Sequence, residues 1–305
     1  MLEMKEKYFA IEPAKARELL SQIKGMKAAK HGIDSRVYLI GDYAVLTTSR
    51  LKLRNVATRD DDLAYFDALI ETLLGLREQG VAAVPILGYC YDPGSENGNG
   101  YIFQPRAKGE ELYDDGLLKE YYAFAQKHPK RIISFRRPRA KEHILSRTYS
   151  ISQAPQEHFD KFIADMIVLL DHDLLVDCNG KSNFFYDDSI GFQFIDLDAH
   201  TDYKYGLAAE KYDSREWAAC DGFTPCHFAV GTRAFWRIAL DERALSRLDG
   251  TEYRQLAQDN RAIFEKCTAA MLRGGITEEQ VRRALEKNIR TCLVSCQKQR
   301  VCSKI

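Results

Sequence analysis

No stretch of the chain is an uninterrupted apolar run of the roughly 20 residues that a membrane-spanning helix needs. The N-terminal residues, MLEMKEKYFAIEPAKARELL, are charged throughout and lack the apolar core of a secretory signal. These two absences predict a cytoplasmic protein that makes no membrane contact.

Neither sign of charge is in excess, since 44 Lys and Arg residues balance 44 Asp and Glu residues. A chain whose whole surface bound nucleic acid would be basic, so any such attraction must be local. Segment 127–147, KHPKRIISFRRPRAKEHILSR, is locally basic and has a single Glu. Two interpretations stay open for it: a solvated surface insertion, or a site for a polyanion such as RNA, an acidic substrate or a phosphorylated partner.

Cys-x-x-Cys pairs are absent among the eight cysteines, and reduced thiols are the expectation for a cytosolic chain of this size. Cys220, Cys226 and His227 offer three potential zinc ligands, but their spacing fits no standard zinc motif and no fourth ligand is evident. Zinc therefore remains an alternative that the pattern does not favour.

The first part of the chain alternates helix and strand signals. After a helix that begins near Pro13, two β-branched and aromatic runs flank Gly41 and Asp42, which predicts a hairpin. Residues 60–79 have one broad apolar face and predict a helix. The stretches VAAVPILGYCYD and GYIFQPR then predict two strands.

The remainder is mostly helical in pattern. Residues 157–175 predict a long buried helix, and NFFYD and GFQFID predict two short strands around the turn DSIG. A last helix is expected to begin at Thr277, with Gln280 completing a capping box. The sequence PRAKGEEL is a short connector between the two parts, so we expect one domain at 1–105 and a helical one at 106–305.

Three oxygen-bearing side chains follow the long helix. Asp177 comes just after it, Asn183 opens the first short strand and Asp196 closes the second. Because hairpin strands are antiparallel, the start of one lies beside the end of the other, so Asn183 and Asp196 are expected to be neighbours. Such oxygen donors suit Mg²⁺ shared with phosphate groups.

This ordered set resembles the catalytic segment of the protein-kinase-like superfamily, which includes protein kinases and the aminoglycoside and choline kinases. Upstream, GIDSRVYLIGDYAVL resembles the phosphate-covering hairpin and its following strand, and residues 60–79 resemble the helix that bears an ion-pairing Glu. GYIFQPRAKGEEL resembles the strand and hinge that contact adenine. The match covers about residues 26–200. It implies an α+β bilobal fold with a small mixed-sheet N-lobe, one main helix and a larger helical C-lobe.

The resemblance also implies a function, namely ATP- and Mg²⁺-dependent transfer of the γ-phosphoryl group to a hydroxyl of an unidentified protein or small molecule. Asp177 would orient the hydroxyl and accept its proton, and Lys181 would neutralise the transferring phosphoryl group. The other implied roles fall into two sets: magnesium binding by Asn183, Asp196 and Asp198, and nucleotide binding by Gly32, Ser35, Glu71 and Gln104.

Two departures from the family pattern are visible. Asn183 is six residues after Asp177 where five is usual, so Gly180 is a candidate insertion and Asp173 a competing base. Thr47 stands where the phosphate-binding Lys is expected, and three basic residues remain as replacements: Lys30, Arg50 and Lys52. The alternative function is a catalytically impaired, kinase-like protein that binds a nucleotide or a partner. An RNA binder acting through 127–147 is a third hypothesis.

Overall fold

The computed structural model divides the chain into two compact units, Met1–Ala107 and Lys108–Ile305, here called the N-terminal and C-terminal units. Each is described by itself. The residues that the structure describes are 5–31, 35–48, 70–71, 74–92, 99–111, 146, 148–172, 174–176, 184–195, 197–199 and 251–284.

The N-terminal unit is built on a six-stranded sheet. Its elements in chain order are β1 (Lys5–Tyr8), α1 (Pro13–Ile23), β2 (Lys30–His31), β3 (Ser35–Ile40), β4 (Tyr43–Thr48), β5 (Gly88–Asp92) and β6 (Asn99–Pro105). The strand order is β1-β5-β6-β4-β3-β2. Every described pairing is antiparallel, so the sheet that the sequence led us to expect as mixed is an antiparallel one.

Glycine and proline explain two of the strand boundaries in this sheet. The predicted hairpin is confirmed: β3 and β4 pair from Ile40↔Tyr43 outward, and Gly41 takes the left-handed φ of 56° that the tight turn requires. The predicted strand over residues 81–92 is wrong in its first half, since only Gly88–Asp92 is part of a strand ladder. Pro85 lies in the excluded part and has no N–H to give to a ladder.

Both faces of this sheet are covered by apolar side chains. On one face, Val45 and Phe103 belong to a buried cluster with Ala16 and Leu19 of α1. On the other face, Ile102 packs against a cluster that includes Ile70. The helix predicted over 60–79 is described at residues 70–71 and 74–78, which are helical; its other residues lie outside the described part.

The C-terminal unit combines helices with short strands. In chain order its elements are β7 (Glu110–Glu111), α2 (Gln156–Asp171), β8 (Leu174–Val176), β9 (Phe184–Asp187), β10 (Gly191–Phe194), β11 (Leu197–Ala199) and α3 (Thr251–Arg273). Residues 148–153 and 278–284 are also helical. One sheet has the order β10-β9-β7, and a second pairs β11 with β8. With a sheet-based N-terminal unit and helices in this one, the expected α+β class is confirmed.

Two predicted boundaries in the C-terminal unit need correction. The helix expected over 157–175 ends at Asp171, and Leu174–Val176 form β8, because pairing with β11 gives this apolar stretch a strand partner that its own periodicity does not reveal. The expected connector PRAKGEEL is in part a strand, since Glu110–Glu111 pair with β9.

Aromatic packing holds the β9–β10 hairpin against α2. Phe192 and Phe194 of β10 are buried and contact Phe162, with ring centroids 5.1 and 5.5 Å away. Phe159 meets Phe192 edge to face at 5.4 Å. Aromatic pairs at such distances contribute about 0.5–1.5 kcal/mol each beyond their buried area.

Polar contacts join α2 and the residues just before it to α3. Arg273 at the end of α3 binds Asp160 of α2 through Nη2 at 2.7 Å, and Lys266 donates to the carbonyls of Ser152 and Ala154 at 2.6 Å each. The capping box expected at Thr277 is confirmed. The Thr277 amide donates to Gln280 Oε1 at 2.9 Å, and the Gln280 amide donates to Thr277 Oγ1 at 3.2 Å. Within the described residues, no helix is both long and apolar enough to cross a membrane.

We predict that Phe162→Ala will lower the free energy of unfolding of the C-terminal unit by about 3–5 kcal/mol, the usual cost of emptying a buried Phe site. The reason is that Phe162, 1% exposed, contacts both aromatic residues of β10. Urea denaturation measures the change. Tyr149→Ala is the control, because Tyr149 is 53% exposed and its loss should cost under about 0.5 kcal/mol. Equal effects of the two substitutions would contradict the packing described here.

Candidate functional site

The β9–β10 hairpin is the element expected to present the magnesium ligands. Its register pairs Phe184 with Phe194 and Asp187 with Gly191, so the predicted hairpin is confirmed. Its second strand ends at Phe194, so Asp196 does not close it as the sequence led us to expect. The Asp187 carboxylate closes the turn by accepting hydrogen bonds from the hydroxyl and the amide of Ser189. These hydrogen bonds lower the pKa of Asp187 and keep it ionised.

A second ladder lies beside the hairpin in sequence. β8 and β11 are antiparallel, with Val176 opposite Leu197, Leu175 opposite Asp198 and Leu174 opposite Ala199. The residue after Val176 is Asp177, and the residue before Leu197 is Asp196. The described ladder therefore ends next to both candidate aspartates along the chain. Sequence periodicity missed this ladder because each strand has only three residues.

Most of the predicted catalytic and metal-binding residues lie outside the described part of the chain. This applies to Asp177, Lys181, Asn183 and Asp196, and it applies equally to Gly32, to segment 127–147 apart from Ser146 and to the alternative zinc ligands Cys220, Cys226 and His227. Two more are described by backbone position alone: Asp198 stands in β11, and Ser35 begins β3 opposite Thr48. Among the residues with described side chains, no three His, Cys, Asp or Glu residues form a metal-binding group.

Glu71 has a partner that the sequence did not suggest. Its carboxylate accepts a hydrogen bond from Lys7 Nζ of β1 at 3.5 Å. The Glu71 side chain is 69% exposed, so this ion pair contributes at most about 1 kcal/mol. The only signal for β1 was the alternation in KEKY, which is too short and too charged to indicate a strand by itself.

The register of β4 shows on which face each of its residues lies. Thr47 is opposite Tyr101, which packs with the cluster on the α1 side of the sheet. Leu46 is opposite Ile102, which packs with the cluster on the other side, around Ile70. Paired residues share a face, so Leu46 and not Thr47 is on the face that carries Ile102 and packs with Ile70 and Leu74 of the described helical residues. Thr47, where the family pattern led us to expect the phosphate-binding Lys, is therefore on the opposite face of the sheet.

Gln104 is the predicted nucleotide-binding residue whose environment is best defined. It is opposite Ala44 in the β6–β4 ladder, on the face that also carries Leu46 and Ile102. The side chain is 5% exposed, and its Oε1 has no hydrogen-bond partner in the described part of the structure. A buried acceptor without a donor is costly, which makes Gln104 Oε1 a place where a donor from a ligand would bind favourably.

Comparisons with known proteins find structures similar to this chain, all at low sequence identity. No protein-family model and no curated protein sequence matches the chain. Among solved structures, the chain is similar to a specific rhoptry antigen kinase domain of Toxoplasma gondii, at 10% identity and a TM-score of 0.37, covering 87% of this chain and 73% of that one. It is also similar to WaaP in complex with acyl carrier protein, at 14% identity and a TM-score of 0.35, covering 92% of this chain and 99% of that one. Both TM-scores are below 0.5.

We predict that Gln104→Leu will raise the free energy of unfolding of the ligand-free protein by about 1 kcal/mol, because it removes a buried acceptor that lacks a donor while preserving apolar contact. Chemical denaturation of the two proteins measures the difference. Gln22→Leu on α1 is the control, since Gln22 is exposed and already donates to Glu18 at 2.8 Å. A loss of stability in Gln104→Leu would mean that the amide is satisfied in solution.

Proposed function

We propose that the chain is a kinase-like phosphotransferase that uses ATP and Mg²⁺ to phosphorylate a hydroxyl group. The observation that carries the proposal is the Val176–Leu197 pair at the end of the β8–β11 ladder. Adjacent Cα atoms are 3.8 Å apart and paired Cα atoms about 5 Å apart, so covalent continuity limits the Cα atoms of residues 177 and 196 to within roughly 13 Å of each other. This supports a shared site for Asp177 and Asp196.

The hairpin supports adding Asn183 to the same site. Phe184 and Phe194 are paired, Asn183 directly precedes Phe184, and Asp196 follows Phe194 by two residues. One carboxamide and one carboxylate at the same end of a hairpin suit a hard, oxygen-preferring cation. Asp198 lies two positions beyond Asp196, the spacing that puts residues of a strand on one face, and would assist as a further acceptor.

In this proposal each residue has a limited task. Asp177 orients the acceptor hydroxyl and takes its proton, and Lys181 neutralises charge on the transferring group. Asn183 and Asp196 would hold the cation. When bound, Mg²⁺ would neutralise negative charge on the phosphate oxygens. Phosphoryl transfer depends mainly on positioning and charge, so a set this small is chemically sufficient.

Nucleotide binding is assigned to the N-terminal unit. Gln104 Oε1 is a buried acceptor that an amino group of a nucleobase would satisfy, and this atom without a partner supports the assignment. Gly32 and Ser35 frame the loop between β2 and β3, where backbone amides would contact phosphate groups. Glu71 is left out of the site, because its described partner is Lys7 on the sheet edge.

We predict that ATP with Mg²⁺ will raise the melting temperature more than ATP alone, and that Asp196→Asn will remove the added effect of Mg²⁺ because it removes a charged ligand. Asp177→Asn should still bind the magnesium nucleotide but lose at least about 100-fold in the rate of phosphoryl transfer or of ATP hydrolysis. Thermal shift and phosphate release measure the two effects.

Asp188→Asn is the control for these variants, because Asp188 is exposed in the hairpin turn, where its carboxylate accepts a hydrogen bond from Ser150. It should retain both the magnesium effect and turnover. If Asp177→Asn and Asp196→Asn behave like wild type in both assays, the proposed function is wrong.

The second candidate is a catalytically impaired, kinase-like protein that binds nucleotide or a partner without turnover. It is favoured by β4, whose six residues, YAVLTT, include no Lys or Arg on either face. An ammonium group that contacts phosphates would have to come from elsewhere in the chain, and Lys30, Arg50 and Lys52 remain the candidates.

A pair of Lys substitutions separates the two candidates. If the protein is impaired, we predict that wild type shows no turnover and Leu46→Lys gains measurable ATP hydrolysis, because residue 46 is on the face with Ile102 and Gln104. Thr47→Lys is the matched control on the opposite face and should gain nothing. Turnover by wild type would reject this candidate, and equal gains from both substitutions would contradict the assignment of faces.

A further inference from the structure

The chain around Ala107 is hydrogen-bonded on both sides. On the N-terminal side, the amide of Arg106 donates to the carbonyl of Asp42 at 2.7 Å, within the N-terminal unit. On the C-terminal side, the amide of Lys108 donates to Gln193 Oε1 of β10 at 3.2 Å, within the C-terminal unit. Only Ala107 separates the two anchored residues along the chain. Residues 108–111 are called the clamp segment below.

The clamp segment lies against the backbone of β9 at a distance that only glycine allows. Gly109 has a φ of 80°, and a Cβ at this position would collide with the backbone carbonyl of Tyr186, only 2.6 Å from its carbon. The next two residues, Glu110 and Glu111, pair with Tyr186 and Phe185. The last two residues of the clamp segment are therefore the third strand, β7, of the sheet that contains the β9–β10 hairpin.

Gln193 is the side chain of β10 that reaches the clamp segment. Its neighbours Phe192 and Phe194 face α2, and strand alternation puts Gln193 on the other face, away from the aromatic cluster. The charge of Lys108 also contributes to lowering the pKa of Asp187, after the larger effect of the Ser189 hydrogen bonds, so an electrostatic attraction supplements the hydrogen bond. Nothing in the predicted kinase-like roles uses Gln193.

We propose that Gln193 is a positioning residue that fastens the clamp segment to β10 and thereby holds the adjacent Asp196 and Asn183 in place for the cation. The metal part of this inference rests on the proposed function; the mechanical part rests on the described contacts alone. β10 ends two residues before Asp196, and β9 begins one residue after Asn183. A sheet of three strands, held by α2 on one face and by the Gln193–Lys108 hydrogen bond on the other, moves less at these ends than a free hairpin does.

Hydrogen exchange of the full chain tests the mechanical part. In Gln193→Leu, we expect amide exchange over residues 192–199 to accelerate about 3- to 10-fold, the effect of losing one hydrogen bond from the local opening equilibrium. Gln193→Glu retains an acceptor for the Lys108 amide and should exchange like wild type. Ser150→Ala is the matched control, because it removes the 2.9 Å hydrogen bond to Asp188 at the other end of the hairpin. It should accelerate exchange near 187–191 instead.

Magnesium titration tests the metal part. The Mg²⁺ concentration at half-maximal thermal shift with ATP should rise about 3- to 10-fold in Gln193→Leu and stay unchanged in Gln193→Glu and Ser150→Ala. If Gln193→Leu lowers the melting temperature but leaves the Mg²⁺ concentration at half-maximal shift unchanged, Gln193 is purely structural and the positioning role is overturned. Unchanged exchange over 192–199 in Gln193→Leu would overturn the clamp itself. A wild type with no response to Mg²⁺ would instead overturn the proposed function and the metal part together.

Discussion

The packing of β10 against α2 is the constraint on which the other described strands of the C-terminal sheet depend. Burying Phe192 and Phe194 fixes which face of the β9–β10 hairpin meets the helix, and a shift of one residue would expose both rings. The opposite face is thereby left for Gln193 and the clamp segment. Because the buried face sets the register, it also sets which residues pair at the open end of the hairpin, Phe184 and Phe194.

The N-terminal unit shows the same principle with a different outcome. Its antiparallel sheet is covered on both faces, so neighbouring residues of β6, Phe103 and Ile102, enter two separate clusters. Gln104 is a polar residue placed on one of these faces, and its buried acceptor lacks a donor in the described residues. Buried acceptors without a donor are uncommon, which is why the proposal of nucleotide binding relies on Gln104.

In the described residues, most exposed charged pairs contribute little to the free energy of unfolding. The Lys7–Glu71 and Arg282–Glu279 pairs are exposed, and pairs of this kind contribute little to the free energy of unfolding. Lys266 differs, because burial lowers its pKa while its ammonium binds two backbone carbonyls that precede α2. The proposed function likewise depends on the positions of individual carboxylates. The net charge of zero gives no information about those positions.

Local chemistry in the sequence was sufficient to predict the β3–β4 hairpin, the start of α1 at Pro13 and the Thr277 capping box, because turns and caps are decided by a few neighbouring residues. The candidate aspartates could be identified by residue type and spacing, and their adjacency in the chain to β8 and β11 needed the structure. What only tertiary structure decided is long-range pairing: β8 with β11, Leu46 rather than Thr47 on the helix-covered face, and Gln193 with Lys108. Such pairings connect residues far apart in sequence, and their free energy comes from partners that no local pattern contains.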